Sequence, residues 1–171
     1  MATSGTTTFD RVYLENRDAI LRYCISQVGN RHTAEDIAGD TFASAWAAIG
    51  RDGWPADIRP WLFRIARNRV IDHSRRSARA RRALARLMLQ SPRGRDVEDA
   101  ALLNHDLVRV VAAVAKLSER DKTILGLRLA GGLSHAQIAS VLGLAEDAAR
   151  QGSARALARL REAAKEVDRG D

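Results

Sequence analysis

LSHAQIASVLGL, residues 133–144, is the stretch on which the fold turns. Ser134 can cap a helix and Gln137, three residues on, can reach back to it, while Leu133 and Ile138 sit where a hydrophobic staple would fix the entry of the chain. The helix so begun is short: Leu142-Gly143-Leu144 ends it, and helical spacing resumes at about Glu146. A short helix, a tight glycine turn, and a second helix, with the small Ala139 inside the first, form the pattern of a helix-turn-helix. The second helix, from about Glu146 to Ala164, carries Arg150, Gln151, Ser153, Arg155, Arg159 and Arg161. In this motif the second helix enters the major groove, its early residues meeting base edges and later ones phosphates. Arg150 pairs well with guanine and Gln151 with adenine, and Ser153 and Arg155 complete the expected DNA-facing set. The bland alternative is a solvated face of a helical bundle.

Working back from the motif, Gly131-Gly132 ends a helix capped by Ser118, and before it a helix spans about Val97 to Ala115 on Leu103, Leu107, Val110, Val111 and Val114. Further upstream, Ser91-Pro92-Arg93-Gly94 breaks any helix, and residues 81–97 read as a linker. In the N-terminal half a first helix runs from about Phe9 to Val28 and stops at Gly29-Asn30. Thr33 is the expected cap of the second, whose Ile37, Thr41, Phe42, Ala45, Trp46 and Ile49 form one apolar stripe. Residues 50–57, GRDGWPAD, are a loop by their glycine and proline. Asp57 caps a third helix with Pro60 in its first turn, running from Ile58 to about Arg76 with Trp61, Leu62, Ile65, Ala66 and Val70 inward. Residues 1–8 read as a disordered start. The expectation is an all-α chain of two small helical domains, 9–80 and 98–166, with small, separate cores.

Charge locates the partner. The chain carries +7 at pH 7, and between Arg59 and Arg86 there are ten arginines against one acid, Asp72. The basic character is therefore a local patch on the third helix. Like charges at helical spacing repel, and a polyanion would relieve them. Beside them Trp54, Trp61 and Phe63 are candidates to stack on exposed bases, Trp54 foremost because it sits in a loop; Trp61 fits the core.

Other chemistries find little support. Cys24, the one cysteine, falls on the core-facing side of the first helix and reads as a buried thiol in a reducing compartment. His32, His73, His105 and His135 are scattered, with no metal-ligand spacing. No phosphate-cradling glycine loop occurs. No apolar run approaches the roughly 20 residues that span a membrane, and the N-terminus lacks a signal peptide's apolar core. The expectation is a cytoplasmic, non-enzymatic protein without cofactor or metal and without membrane insertion.

Three segments carry a resemblance. AEDIAGDTFASAW (34–46), WLFRIARNRVIDHSRR (61–76) and residues 117–162 resemble regions 2.2, 2.4 and 4 of the extracytoplasmic-function (ECF) RNA polymerase sigma factors, and together the match covers most of the chain. The resemblance implies two domains, sigma region 2 and sigma region 4. It implies a partner, bacterial core RNA polymerase, met at the β′ clamp by Glu35, Asp36, Asp40, Phe42 and Trp46 and at the β flap by region 4, with Phe42 and Trp46 supporting the docking helix from inside. It implies promoter DNA, held at the minus-ten element by Arg64, Arg67, Asn68, Arg75 and Arg76, with a flipped base received by the 50–57 loop, and at the minus-thirty-five element by the second helix of the motif; Trp54 of that loop and Arg59 complete the expected DNA-binding set. An anti-sigma factor clamped between the domains is a further partner the resemblance admits.

The chain departs from the pattern at Gly39, where the family has Gln, and at 148–152, where Ala148, Ala149 and Gly152 replace Thr, Val and Arg. Gly152 is expected to weaken the helix by about 1 kcal/mol relative to Ala and to remove a side chain that faces DNA. Two other readings account for less. A helix-turn-helix regulator acting without polymerase leaves the acidic second helix and basic third helix without purpose. A sigma-like interaction module that has lost DNA binding is favoured only by Gly39 and Gly152.

Overall fold

The computed structural model describes residues 3–87 and 105–169, all as helices and short connections. α1 spans Thr3–Val28, α2 Arg31–Asp52, α3 Ile58–Leu87, α4 His105–Ala115, α5 Glu119–Leu125, α6 His135–Leu142 and α7 Glu146–Arg169, with a π-helical turn, Gly126–Ala130, between α5 and α6. No strand occurs among the described residues. The all-α expectation holds.

Several boundaries move, each for a local reason. α1 begins at Thr3, so residues 3–8 are helical where a disordered start was expected; once the Phe9–Val28 segment is nucleated, extending it backward by a turn costs little. α2 is capped by Asn30, not Thr33: the Asn30 side chain accepts from the Thr33 amide at 2.8 Å. Glu35 and Asp36 therefore lie in the second turn, where they pair with Arg31 at 2.8 Å and His32 at 3.9 Å. α2 also continues to Asp52, shortening the loop to residues 53–57, and Gly53 closes it at φ 83. α3 does not fray at Arg76 but reaches Leu87, through the first part of the expected linker. Ala and Arg are strong helix formers, and no glycine or proline interrupts them before Pro92. The remainder of that linker, the Leu87-Met88-Leu89 triplet beyond Leu87, and the expected start of α4 at 97–104 lie outside the described residues.

The C-terminal half follows its local signals closely. Ser118 caps α5 by accepting from the Asp121 amide. Ser134 and Gln137 form the complete capping box, and Gly143 terminates α6 at φ 66, a left-handed conformation in which glycine carries no Cβ penalty. Arg128 donates to the Leu133 carbonyl at 2.8 Å and so ties down the Gly131-Gly132 turn. α5 and α7 are joined by Arg159 and the buried Asp121, 2.8 Å apart. Burial disfavours the Asp121 carboxylate, but hydrogen bonds from Arg159 and Ser118 outweigh it and hold the group below the usual carboxylate range.

The expectation of small, separate cores is not met. One hydrophobic cluster contains Ile20, Tyr23, Cys24, Phe42, Leu62 and Phe63 from the first three helices together with Leu127, Leu133, Ile138 and Val141 from the C-terminal half. A smaller cluster of Leu117, Leu125 and Ala156 is internal to that half. The C-terminal domain is therefore docked on the N-terminal one, α6 against α3 and the π turn against α1. Cys24 lies fully inside the shared core as expected, and burial pushes its thiol up to about 12. Beside it the Tyr23 hydroxyl is buried with no hydrogen-bond partner among the described residues. An unsatisfied buried hydroxyl costs about 1–3 kcal/mol. Tyr23→Phe is accordingly expected to raise the unfolding free energy by about 1 kcal/mol, and a lowered midpoint in urea would contradict this.

Candidate nucleic-acid interface

The arginines of α3 divide into three groups along the helix. At its start, Arg59 is half-buried: its guanidinium donates to Asn16 Oδ1 at 3.2 Å and to the Gly131 carbonyl at 2.8 Å, and lies 5.7 Å from the centre of the Phe63 ring. One turn on, Arg64 is exposed but donates to the Ser140 carbonyl at 2.7 Å. In the middle, Arg69 donates to Ser44 Oγ of α2 at 2.6 Å, and Arg67 has its Nε buried without a partner among the described residues. Beyond these, Asn68, Arg75, Arg76, Arg79, Arg81 and Arg82 are exposed, and Arg76 donates to the Asp72 carbonyl at 3.3 Å. The free positive surface is thus the second half of α3, while in its first half Arg59 and Arg64 bond carbonyls of the C-terminal domain and Arg69 bonds α2.

A groove of about 780 Å³ separates that second half from α5 and the α6–α7 turn. Arg67, Arg75, Arg81 and Arg120 line it against one acid, Glu119, with Val70 and Leu144 on its floor. No group of His, Cys, Asp and Glu among the described residues could hold a metal ion.

The aromatic candidates separate by exposure. Trp54 is 46% exposed on the short loop and free to meet a base. Phe63 is fully buried, edge-on to Tyr23 at 5.6 Å, and cannot stack on DNA in this arrangement. Trp61 is half-buried against the core. On α2, Glu35, Asp36 and Asp40 share the solvent side, and Phe42 is buried behind them, edge-on to Tyr13 at 4.9 Å. Trp46 corrects the expectation of an inner support: it is 46% exposed and packs only its edge against Phe9, at 5.0 Å, because its position falls at the rim of the α1–α2 contact. Gly39 is exposed, with open space where a side chain would project.

In the helix-turn-helix, Arg150, Gln151 and Arg155 are exposed on α7, and Arg150 is paired with Glu146 at 3.2 Å and Asp147 at 3.5 Å. Ser153 does not belong with them. It is 7% exposed and its hydroxyl donates to the Ala149 carbonyl one turn back. Gly152 also points inward: a Cβ there would stand 3.2 Å from Ile124 Cδ1. Glycine at this position therefore suits the close approach of α7 to α5, where a Cβ would press on Ile124. Gly152→Arg is expected to destabilise the protein by about 2–3 kcal/mol through overpacking and a buried charge, seen as a lowered thermal midpoint, and to leave DNA affinity no tighter.

Sequence reading missed three residues at the junction of the domains. Arg22 donates to the Ala130 carbonyl at 3.2 Å, Gln27 to the Lys122 carbonyl at 3.1 Å, and Gly126 meets the Gln27 and Ser26 side chains directly. Only Gly126 left a trace in the sequence, as a glycine inside an otherwise good helix.

Comparison with known proteins settles the family. The model of Sigma-70 region 2 matches residues 12–81, and that of Sigma-70, region 4, matches residues 113–162. The ECF RNA polymerase sigma factor SigL of Mycobacterium tuberculosis is 33% identical over 138 residues, which cover 79% of this chain and 76% of SigL. This chain is an ECF RNA polymerase sigma factor. The ECF sigma factor BldN of Streptomyces coelicolor is 34% identical over 142 residues, 82% of this chain, although these span only 54% of BldN. Among solved structures, the sigma factor RpoE of Bartonella quintana, in complex with its anti-sigma factor NepR, superposes with a TM-score of 0.71 at 26% identity, covering 92% of this chain and 97% of that one. The region 2 match lies within α1–α3, and the region 4 match runs from the end of α4 into α7.

Proposed function

We propose that this sigma factor binds bacterial core RNA polymerase through the acidic face of α2, directs it to promoters through α3 and α7, and contributes no catalytic group of its own. The observation that carries the reading is the pairing, within region 2, of a solvent-facing Glu35, Asp36 and Asp40 row on α2 with the exposed Asn68, Arg75 and Arg76 surface of α3. Acids facing outward on one helix and guanidiniums on the next suit two different partners, a basic protein surface and a phosphate backbone.

Promoter opening then follows from binding energy. Extruding a base from the stack costs a few kcal/mol, which Trp54, exposed beside the start of α3, and the α3 arginines on the phosphates would offset. Arg64 joins this surface once released from the Ser140 carbonyl, with Arg67 beside it. On α7, Arg150, Gln151 and Arg155 would meet the minus-thirty-five element in the major groove and region 4 would rest on the β flap. No helix among the described residues is long and apolar enough to cross a membrane, which accords with action in the cytoplasm. An anti-sigma factor, as in the RpoE–NepR complex, is the proposed third partner.

The deciding experiment is transcription in vitro with bacterial core polymerase, with and without the protein, on genomic fragments that include its own upstream region. Discrete transcripts that depend on the protein are the expected result. Absence of both core binding and promoter-dependent transcripts would reject the sigma role in favour of a protein-interaction module. DNA binding by a stable dimer that ignores core would favour a conventional helix-turn-helix regulator.

A further inference from the structure

We propose that the groove between the second half of α3 and α5 binds a nucleoside polyphosphate, its phosphates on Arg75, Arg81 and Arg120 and its base against Val70 and Leu142. The proposal stands apart from the transcription role, although Arg67 and Arg75 also belong to the proposed promoter surface.

Electrostatics calls for an anion here. Arg67, Arg75 and Arg81 of α3 and Arg120 of α5 line one groove of about 780 Å³. The acids next to Arg120 in the chain are already engaged. Glu119 accepts from Lys122 at 2.9 Å, and Asp121 accepts from Arg159 at 2.8 Å and from Ser118 at 2.9 Å. Arg75, Arg81 and Arg120 donate no hydrogen bond among the described residues. Arg67 adds a buried Nε that has no partner among them. A buried donor left unmade is costly, and a bound acceptor would answer it. Guanidiniums gathered around one gap repel one another, so the arrangement favours an anion that enters it.

The length of the groove and its wall select the kind of anion. Arg67 and Arg81 are fourteen residues apart on α3, about 21 Å along a helix that rises roughly 1.5 Å per residue. A single phosphate reaches one part of that span, whereas a chain of phosphates carrying a nucleoside extends along it. Between the guanidiniums the wall is apolar. Val70 and Leu142 are half-buried against the shared core, with Leu144 beside them. Phosphate gains nothing from such a wall, but a base buries a flat face on it, and a planar guanidinium such as that of Arg67 stacks on rings. The volume falls within the roughly 300–1,000 Å³ of small-ligand sites, which favour domain junctions. DNA phosphates have Arg76 and Arg79 open to them outside this groove. Arg120, in contrast, belongs to neither the α3 nor the α7 surface proposed for the promoter.

The test is titration calorimetry on the full chain at physiological salt, without divalent metal, with ATP and GTP as probes. Binding of either nucleotide in the micromolar range is expected, at least about tenfold tighter than inorganic tripolyphosphate, because only the nucleotide covers the apolar wall. Arg81→Ala and Arg120→Ala should each weaken the nucleotide by about tenfold, through loss of a charge-assisted contact. Both residues are exposed on helices, where alanine is well accepted. Arg161→Ala removes the same charge from an exposed position of α7 and should change affinity by less than about twofold at this salt. Equal weakening by R161A would reduce the binding to net charge, and tripolyphosphate binding as tightly as nucleotide would remove the base from the site. Either result overturns the proposal, as does no nucleotide binding at millimolar concentration. If nucleotide fails to bind while R120A loses affinity for a single-stranded oligonucleotide, the groove belongs to DNA instead.

Discussion

Replacing Phe63 with alanine is expected to lower the unfolding free energy by about 3–5 kcal/mol, more than either Gly152→Arg or Tyr23→Phe changes it. Phe63 is fully buried. Its ring meets Tyr23 edge-on, supports the Arg59 guanidinium on its face, and stands where only glycine fits at position 131. Truncation removes a large apolar surface and leaves a cavity in the shared core, which its neighbours on the same face of α3, Leu62 and Ala66, are too short or already too well packed to fill. In a chain of this length the loss corresponds to a fall in thermal midpoint on the order of 10 °C. Because the ring belongs to both regions, the variant should also separate them, with a larger radius in solution before global unfolding. A midpoint within about two degrees of wild type would mean that Phe63 is not part of a shared core.

The second large effect concerns DNA. Arg75 and Arg76 are exposed, and neither pairs with an acid among the described residues. Converting both to alanine should leave helical content and thermal midpoint nearly unchanged, since alanine is the better helix former. If both arginines neutralise phosphates, promoter-dependent transcription at physiological salt should fall by about tenfold or more, and the log–log salt slope of DNA binding should flatten by about 1.4–1.8, the lower figure applying to single strands. A double variant that transcribes at wild-type level with an unchanged slope would remove these arginines from the DNA surface. Core binding in the same variant should be intact, because the acidic row of α2 is untouched; loss of core binding would place the two arginines on the polymerase side instead.

The sequence by itself determined what depends on neighbours within a turn or two. The Ser134–Gln137 capping box, the Ser118 cap and the Gly143 turn each require only residues three or four apart, and each forms as its sequence predicts. The apolar stripe of α2, the burial of Cys24 and the concentration of arginine on α3 were legible for the same reason: periodicity and composition are local quantities. Local reading also erred locally, giving the α2 cap to Thr33 where Asn30, three residues earlier, offers the better acceptor, and placing Ser153 among exposed residues although its hydroxyl turns back onto the helix.

Tertiary structure alone decided how the two regions stand to one another. Phe63 falls beside the inward stripe of α3, so helical spacing could not tell a base-stacking aromatic from a core one; it is buried between Tyr23 of α1 and the Gly131 turn of region 4, about seventy residues further along the chain. The roles of Arg59 and Arg64 are undetermined for the same reason, because a guanidinium serves a helix-end carbonyl as readily as a phosphate. The inward aim of Gly152 likewise depends on Ile124, a residue of another helix. Hydrophobic patterning shows that a face must be covered, and only the packed chain shows that here the cover is the protein's own second domain.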